Sequence, residues 1–280
     1  MKFVKMHGTS NDYVFVTAFE AAVTDPVVLA REVSSRHTGI GSDGLILLLP
    51  SPIADARMRI FNPDGSEAEM CGNGIRCAAK LLFDDGLALR EEVTLDTMTG
   101  VRTVRLSFAD DGKRRVNGAE VEMGTPLVER ARPDREEMVL AGDYCWWGLR
   151  ISVGNPHFVV FVDDPATIVL EHVAPIIERD SIFPNRTNVE FVRIDEARSI
   201  TVRVWERGVG ETQACGTGAV AAVTAATVKN LLTRGDLITV RLPGGEVTVR
   251  WDKDGPAWLA GDAVEVFRGA WAHKTEEERK

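Results

Sequence analysis

Short runs rich in β-branched and aromatic residues recur along nearly the whole chain, at 14–17, 45–49, 58–61, 101–108, 159–162, 200–205, 247–251 and 263–267. Their length and composition predict strands. Helical patterns are fewer and fall at 26–36, 74–84, 166–172 with a turn beyond it, and 218–232. The sum is a mixed α+β chain dominated by antiparallel sheet. Two of the helices stand apart: residues 75–83 (IRCAAKLLF) and 219–232 (AVAAVTAATVKNLL) carry apolar side chains on nearly every face. A helix of that kind is expected to be enclosed by sheet rather than laid on a surface.

Each of these two helices follows a cysteine and two glycines, CGNG at 71–74 and CGTG at 215–218. The two cysteines are 144 positions apart (215 − 71) in a chain of 280 residues. A duplicated domain accounts for this most economically. The expected architecture is two pseudo-symmetric domains, each a mainly antiparallel sheet wrapped round a buried central helix. With a boundary in the charged, Gly-containing stretch 110–118, residues 1–115, completed by the C-terminal segment 265–280, form an N-terminal domain carrying Cys71. Residues 116–264 form a C-terminal domain carrying Cys215. The charged tail 273–280 is expected to be solvated.

Charge narrows the partners. The chain has 42 acidic and 33 basic side chains, a net charge of −9, which repels nucleic-acid phosphates and anionic lipid alike. The opening MKFVKMHGTSNDYVFV has no export-signal pattern, and no run of about 18 apolar residues follows. A cytoplasmic protein with no nucleic-acid or membrane partner is expected. Four cysteines are too few for a disulfide scaffold, and a reducing compartment keeps them as thiols. No C-x-x-C pair suggests a metal site. Cys77 and Cys145 read as buried small hydrophobes.

Cys71 and Cys215 read differently. A cysteine at the N-cap of a buried helix meets outward-pointing N–H groups, and the glycines after it let a ligand approach the backbone. The helix dipole is expected to lower the thiol pKa, and the same amides can hold a carboxylate. One such motif is more often packing than chemistry. Two copies related by a pseudo-twofold axis would bring two thiols to opposite faces of one bound molecule. That suits stereoinversion, in which a base takes a proton from one face of a carbon and an acid returns one to the other. Stabilising the carbanion by amides and exclusion of water needs no pyridoxal phosphate or other cofactor.

The stretches MHGTSNDY (6–13), GIGSDG (39–44), FNPDGSEAEMCGNGIRC (61–77), GNPH (154–157), RTNVEF (186–191), WERGVGETQACGTGA (205–219) and LPGG (242–245) follow one another in an order that resembles the diaminopimelate epimerase family. The likeness spans nearly the entire chain. It implies substrate enclosed between two α/β domains and conversion of L,L-diaminopimelate to the meso isomer, a precursor for lysine and peptidoglycan. It makes Cys71 and Cys215 the proton carriers. It assigns substrate contacts to Asn11, Asn62, Asn155, Asn188, Glu206 and Arg207, and gives the reacting carboxylate to the backbones of Gly72, Asn73, Gly216 and Thr217. His157 would hydrogen-bond near one thiol as an auxiliary group. An arginine for a carboxylate and an acceptor for an ammonium, Arg207 and Glu206, suit the non-reacting end of that substrate. Family members are often homodimers, although no stripe in this sequence marks an interface. The chain departs from some relatives at Thr9 and Ser10, where Leu-Gly is common, and at Gly44, where some have glutamine; a water-filled gap in the pocket wall is the expectation there.

Three other readings stand beside this one. A proline or hydroxyproline racemase would resemble a pattern with histidine at the position of Asn73. A phenazine-type isomerase lacks the paired cysteines. A non-catalytic amino-acid binder would tolerate loss of either thiol.

Overall fold

Burial alternates along strands such as Glu137–Ala141 and Leu237–Leu242, which have one enclosed face, and is continuous along Leu45–Leu49 and Pro156–Phe161, which are enclosed on both. The computed structural model describes residues 1–19, 23–112, 114–129 and 136–272; the tail 273–280 lies outside the described residues, as does Lys113 in the stretch 110–118. The chain divides into two units, one of residues 1–119 with the segment that begins at Ala263, the other of residues 120–262.

In the first unit, strand Lys2–Gly8 pairs antiparallel with Val264–Ala270 on one side and with Asn11–Thr17 on the other. Asn11–Thr17 runs parallel to Leu45–Leu49, which is antiparallel to Ala56–Phe61. Ala56–Phe61 is parallel to Glu92–Thr97, and Gly100–Phe108 closes the series antiparallel. The second unit repeats the succession. Tyr144–Ser152 is antiparallel to Glu137–Ala141 and Pro156–Phe161, and Pro156–Phe161 is parallel to Asn188–Glu196. Asn188–Glu196 is antiparallel to Ser199–Glu206, which is parallel to Leu237–Leu242, itself antiparallel to Gly245–Trp251.

Four α-helices complete the described residues: α1 (Pro26–Ser34), α2 (Gly72–Asp84), α3 (Leu170–Glu178) and α4 (Gly216–Val228). α1 and α3 are nine residues each and α2 and α4 thirteen, and in both pairs the starts differ by 144 positions (170 − 26 and 216 − 72). Within each unit, the long helix packs on the strands as a core element: α2 on Lys2–Gly8, Asn11–Thr17, Glu92–Thr97 and Gly100–Phe108, and α4 on six strands of its own unit. Ten of the thirteen α4 residues are buried, which explains its all-round apolar sequence. α2 also buries Arg76 and Lys80, and these have partners: Arg76 Nη2 donates to Thr9 Oγ1 at 2.9 Å, and Lys80 Nζ donates to Asp84 Oδ2 at 2.6 Å and the Val116 carbonyl at 2.8 Å. The short helices seal separate cores, Leu29 and Val33 of α1 over Val14, Leu45 and Phe61, and Leu170, Ala174 and Ile177 of α3 over Phe158, Val189 and Phe191.

Both long helices end the same way. Gly86 (φ +73°) and Asn230 (φ +58°) turn left-handed, and the next residues, Leu87 and Leu231, return their N–H to the carbonyls of Leu82 and Ala226. These are Schellman stops, with asparagine standing in for glycine in the second. α4 therefore ends at Val228 rather than at the expected 232. α3 also differs from the expected 166–172. Asp164 caps a single 3-10 turn, Pro165–Thr167, and Arg203 Nη1 takes the Pro165 and Ile168 carbonyls at 2.8 Å each, so the chain is extended at Ile168 and Val169 before the helix begins at Leu170. No described helix is long and apolar enough to cross a membrane.

Candidate active site

In the first unit, Cys71 is the N-cap of α2, extended at φ −146° and ψ 108°, and its Sγ accepts the Gly74 N–H at 3.3 Å. The first helical bond is Ile75 N–H to the Cys71 carbonyl, so the helix offers no acceptor to the N–H groups of Gly72 and Asn73. Gly74 is closely packed: a Cβ there would lie 2.6 Å from Ile46 Cδ1, so a larger residue would make that side chain shift. Asn73 is buried and its side-chain Oδ1 has no hydrogen-bond partner.

The Cys71 thiol also donates to Asn11 Oδ1 at 3.5 Å. Asn11 opens its strand directly after Thr9 and Ser10, both left-handed at φ 52° and 62°. Two successive left-handed residues make a tight hairpin turn, a conformation in which residues with a side chain are strained. Behind Asn11 lies a charged network. Asn11 Nδ2 donates to Asp43 Oδ2 at 3.4 Å, Arg36 Nη2 bridges Asp12 and Asp43 at 2.8 Å each, and Lys5 pairs with Asp12. Burial works against the Asp12 carboxylate, yet hydrogen bonds from Arg36 and Lys5 hold its pKa below the ordinary value; Asp43, desolvated and beside Asp12, is pushed up. Asn62 sits in a separate turn, bonded to Ser66 through its N–H at 2.8 Å and its side-chain Nδ2 at 3.0 Å.

Gly44 corrects one expectation. A Cβ at this position would lie 2.4 Å from the Phe61 carbonyl and 2.9 Å from Tyr13 Cε1, so the space is filled by protein rather than by water. Gly44→Gln is expected to destabilise the fold by about 1–3 kcal/mol through overpacking against backbone, read as a lowered urea midpoint; an unchanged midpoint would contradict the close packing.

In the second unit, Cys215 is the N-cap of α4 (φ −122°, ψ 112°), buried, with its Sγ accepting the Gly218 N–H at 3.4 Å and lying 3.5 Å from Thr217 Oγ1. Gly216 and Thr217 are placed as Gly72 and Asn73 are in α2. From Thr217 a hydrogen-bonded chain leads inward. Asn155 Nδ2 donates to Thr217 Oγ1 at 3.3 Å, His157 Nε2 meets Asn155 Oδ1 at 3.0 Å, and His157 Nδ1 meets Glu190 Oε1 at 2.6 Å. An amide oxygen only accepts, so Nε2 carries hydrogen. The short Nδ1–Oε1 contact then holds one shared proton, as imidazolium and carboxylate or as imidazole and carboxylic acid. Burial pushes Glu190 up, the neighbouring His157 draws it back, and Glu206 adds to the rise.

Glu190 was not marked by sequence reasoning beyond its place in RTNVEF. It lies under the helix start, where a Cβ on Gly218 would come 3.0 Å from Glu190 Oε1. Glu190 stands between Val189 and Phe191, where a polar residue in a strand reads as outward-facing, so its burial has no signature of its own. The expected lowering of the thiol pKa by the helix dipole is reversed at Cys215: burial, then the Glu206 and Glu190 carboxylates, push this thiol well above the ordinary cysteine value, and the Thr217 hydroxyl and Gly218 N–H offset this only in part.

Asn188 donates its Nδ2 to the Pro156 carbonyl at 2.8 Å and accepts the Arg207 N–H on Oδ1 at 2.9 Å. Glu206 accepts from Thr212 Oγ1 at 2.7 Å, and Arg207 is exposed with Nη1 donating to the Asn185 carbonyl at 3.2 Å. Of the other two thiols, Cys77 is buried as expected, whereas Cys145 is exposed, because it lies on the outer side of the hairpin opposite Leu140, itself exposed.

The constant offset runs through the site. Asn11, Gly44, Asn62, Cys71 and Asn73 correspond at 144 positions to Asn155, Asn188, Glu206, Cys215 and Thr217. Comparison with known proteins agrees with the motifs. A family model described as diaminopimelate epimerase matches residues 3–128 and 149–266. A diaminopimelate epimerase of Moorella thermoacetica is 46% identical over 279 residues, covering 96% of this chain and 98% of the relative. One of Methanococcus maripaludis (strain C6) is 41% identical over 278 residues, covering 96% and 99%. Among solved structures, a probable proline racemase from Agrobacterium radiobacter superposes with a TM-score of 0.74 at 17% identity, over 98% of this chain and 93% of its own, a likeness of fold alone.

Proposed function

Because the chain belongs to the diaminopimelate epimerase family, we propose that it converts L,L-diaminopimelate to the meso isomer without a cofactor, by a two-base mechanism, in the route to lysine and peptidoglycan precursors. The observation that carries the reading is the twinned helix start: Cys71 and Cys215 each cap a buried helix with the thiol on the third N–H, leaving two N–H groups of each first turn for a carboxylate.

Cys71, as thiolate, removes the α-proton of the L,L substrate, and Cys215, as thiol, gives its proton to the opposite face. The reverse reaction exchanges these roles. The raised pKa of Cys215 favours its protonated form at rest, as the proton donor needs. The carbanion between the two transfers is stabilised through the α-carboxylate by the backbones of Gly72, Asn73, Gly216 and Thr217. Asn11, Asn62, Asn155, Asn188, Glu206 and Arg207 bind substrate, with Arg207 taking the distal carboxylate and Glu206 the distal ammonium. His157 is auxiliary, acting through Asn155. The working form in this reading is a cytoplasmic homodimer, taken from the family likeness; a monomer at assay concentration in sedimentation equilibrium would remove the second part.

Turnover measured with the L,L, meso and D,D isomers tests the substrate: the first two should interconvert and D,D should be inert. The distal contact is tested by Arg207→Lys, which keeps charge but loses the planar fork. We expect kcat/KM to fall by about tenfold or more. An unchanged value would favour a shorter substrate.

A further inference from the structure

The turn that carries Glu206 and Arg207 is held from behind by a carboxylate that no sequence motif contains. Glu178, the last residue of α3, is 2% exposed. Its Oε2 accepts the Trp205 Nε1–H at 3.0 Å, its Oε1 accepts the Gly208 N–H at 3.1 Å, and Arg186 Nη1 lies 3.6 Å from Oε1. Trp205 and Gly208 are the residues immediately before and after the Glu206–Arg207 pair. Other bonds hold the pair itself: Asn188 Oδ1 accepts the Arg207 N–H at 2.9 Å, Thr212 Oγ1 donates to Glu206 Oε1 at 2.7 Å, and Glu206 pairs with Gly210 across the hairpin. Its tip is open: Gly208 and Gly210 are left-handed at φ +77° and +116°, Val209 is 73% exposed, and Val209 N–H donates to the Glu206 carbonyl at 3.0 Å.

Helix stability does not explain this residue. A carboxylate in the last turn faces the negative end of the helix dipole, and burial removes its hydration. The internal repeat sharpens the contrast. The position 144 earlier (178 − 144) is Ser34, an uncharged side chain whose hydroxyl accepts from Ser42 Oγ at 3.3 Å. The corresponding turn of the first unit, beginning at Asn62, is held differently: Asp64 Oδ1 accepts the Ser66 N–H at 2.8 Å and the Ser66 hydroxyl at 2.6 Å, and the link from α1 is a cation, Arg31 Nε donating to the Asp64 carbonyl at 2.7 Å. The external carboxylate is present in the unit whose turn carries Glu206 and Arg207.

We propose that Glu178 is a positioning residue for substrate recognition: by gripping Trp205 and Gly208 on either side, it sets the turn so that Glu206 and Arg207 meet the non-reacting end of the substrate. This rests on the distal-recognition reading given above. Glu178 itself does not touch substrate.

The test is a double-mutant cycle on the full-length protein, with kcat and KM measured for L,L-diaminopimelate in the wild type, Glu178→Gln, Arg207→Ala and the double variant. Glutamine keeps the shape but offers one acceptor where two N–H groups need two. Losing a hydrogen bond to a charged group should lower kcat/KM about tenfold, chiefly through KM. With Arg207 already removed, Glu178→Gln should cost less than about twofold more, because coupled residues are not additive. Equal losses in both backgrounds, or a fall in kcat with KM unchanged, would overturn the positioning role and leave the distal-recognition reading intact. An Arg207→Ala variant with normal kcat/KM would overturn both. Trp205→Phe, which removes one donor and retains an aromatic ring, carries the same cycle if Glu178→Gln does not fold; a severalfold rise in KM supports the proposal and an unchanged KM refutes it.

Discussion

Serine in place of either Cys71 or Cys215 is expected to lower epimerisation by about 10²–10⁴-fold, the usual share of a positioned acid or base. The hydroxyl can still accept the N–H of Gly74 or Gly218, so the helix cap and the fold survive and the loss is chemical. The proton carrier changes, however, from a thiol to an alcohol, a far weaker acid in the same surroundings. The two cysteines are not expected to be interchangeable. In the L,L to meso direction Cys215 delivers the proton, and its thiol exchanges with solvent, so early product formed in D2O should carry deuterium at the inverted centre while remaining substrate stays protiated. Return of the original proton to the product would point to a single shared base. Near-normal epimerisation by either serine variant would eliminate the two-thiol mechanism.

The largest loss of stability is expected from His157→Leu. It strips the partner from Glu190 Oε1, and Glu190 Oε2 already has none, leaving a buried carboxyl group unsatisfied. Breaking such a pair from one side costs about 3–5 kcal/mol. The loss should depend on pH with a definite sign. Burial raises the folded-state pKa of Glu190 above its ordinary 4.5, and His157 is what draws it back. A carboxyl group whose folded pKa is raised favours the native state at acid pH, and this contribution disappears as pH rises through the folded pKa. Without His157 the rise is greater, so His157→Leu should approach wild-type stability near the ordinary Glu value and fall away from it toward neutral pH. Glu190→Gln, which does not titrate and can still hydrogen-bond His157, should show neither the loss nor its pH dependence. Urea midpoints at acid and neutral pH measure both, and a pH-independent loss in His157→Leu would mean that Glu190 is not the group left stranded.

How far the sequence could be read follows from the kind of signal each feature leaves. Strand runs at 45–49 and 200–205 and the enclosed helices were legible because burial on one face leaves alternation, as at 200–205, and burial on all faces leaves an unbroken apolar run, as at 45–49 and in α4. The cysteines were legible because CGNG and CGTG repeat at a fixed distance, and a duplicated rare motif is informative where a single copy is not. The start of α3 was misplaced because Arg203, far along the chain, takes the carbonyls of Pro165 and Ile168 and holds the segment extended. Local propensity cannot register a partner of that kind.

The sequence by itself determined the α+β class, the two helix-capping thiols, their spacing and the family to which the chain belongs, since all of these are written in local pattern and repetition. Tertiary structure decided the chemistry around those thiols. Cys215 has the same local motif as Cys71, and the helix dipole alone would ease its ionisation; burial together with Glu206 and Glu190 reverses that. Glu190 and Glu178 are two among 42 acidic residues in the sequence. Only folding removes their water and brings His157 to one and Trp205 and Gly208 to the other, because desolvation and hydrogen-bond partnership between residues distant along the chain are properties of packed space and leave no periodic trace in the order of residues.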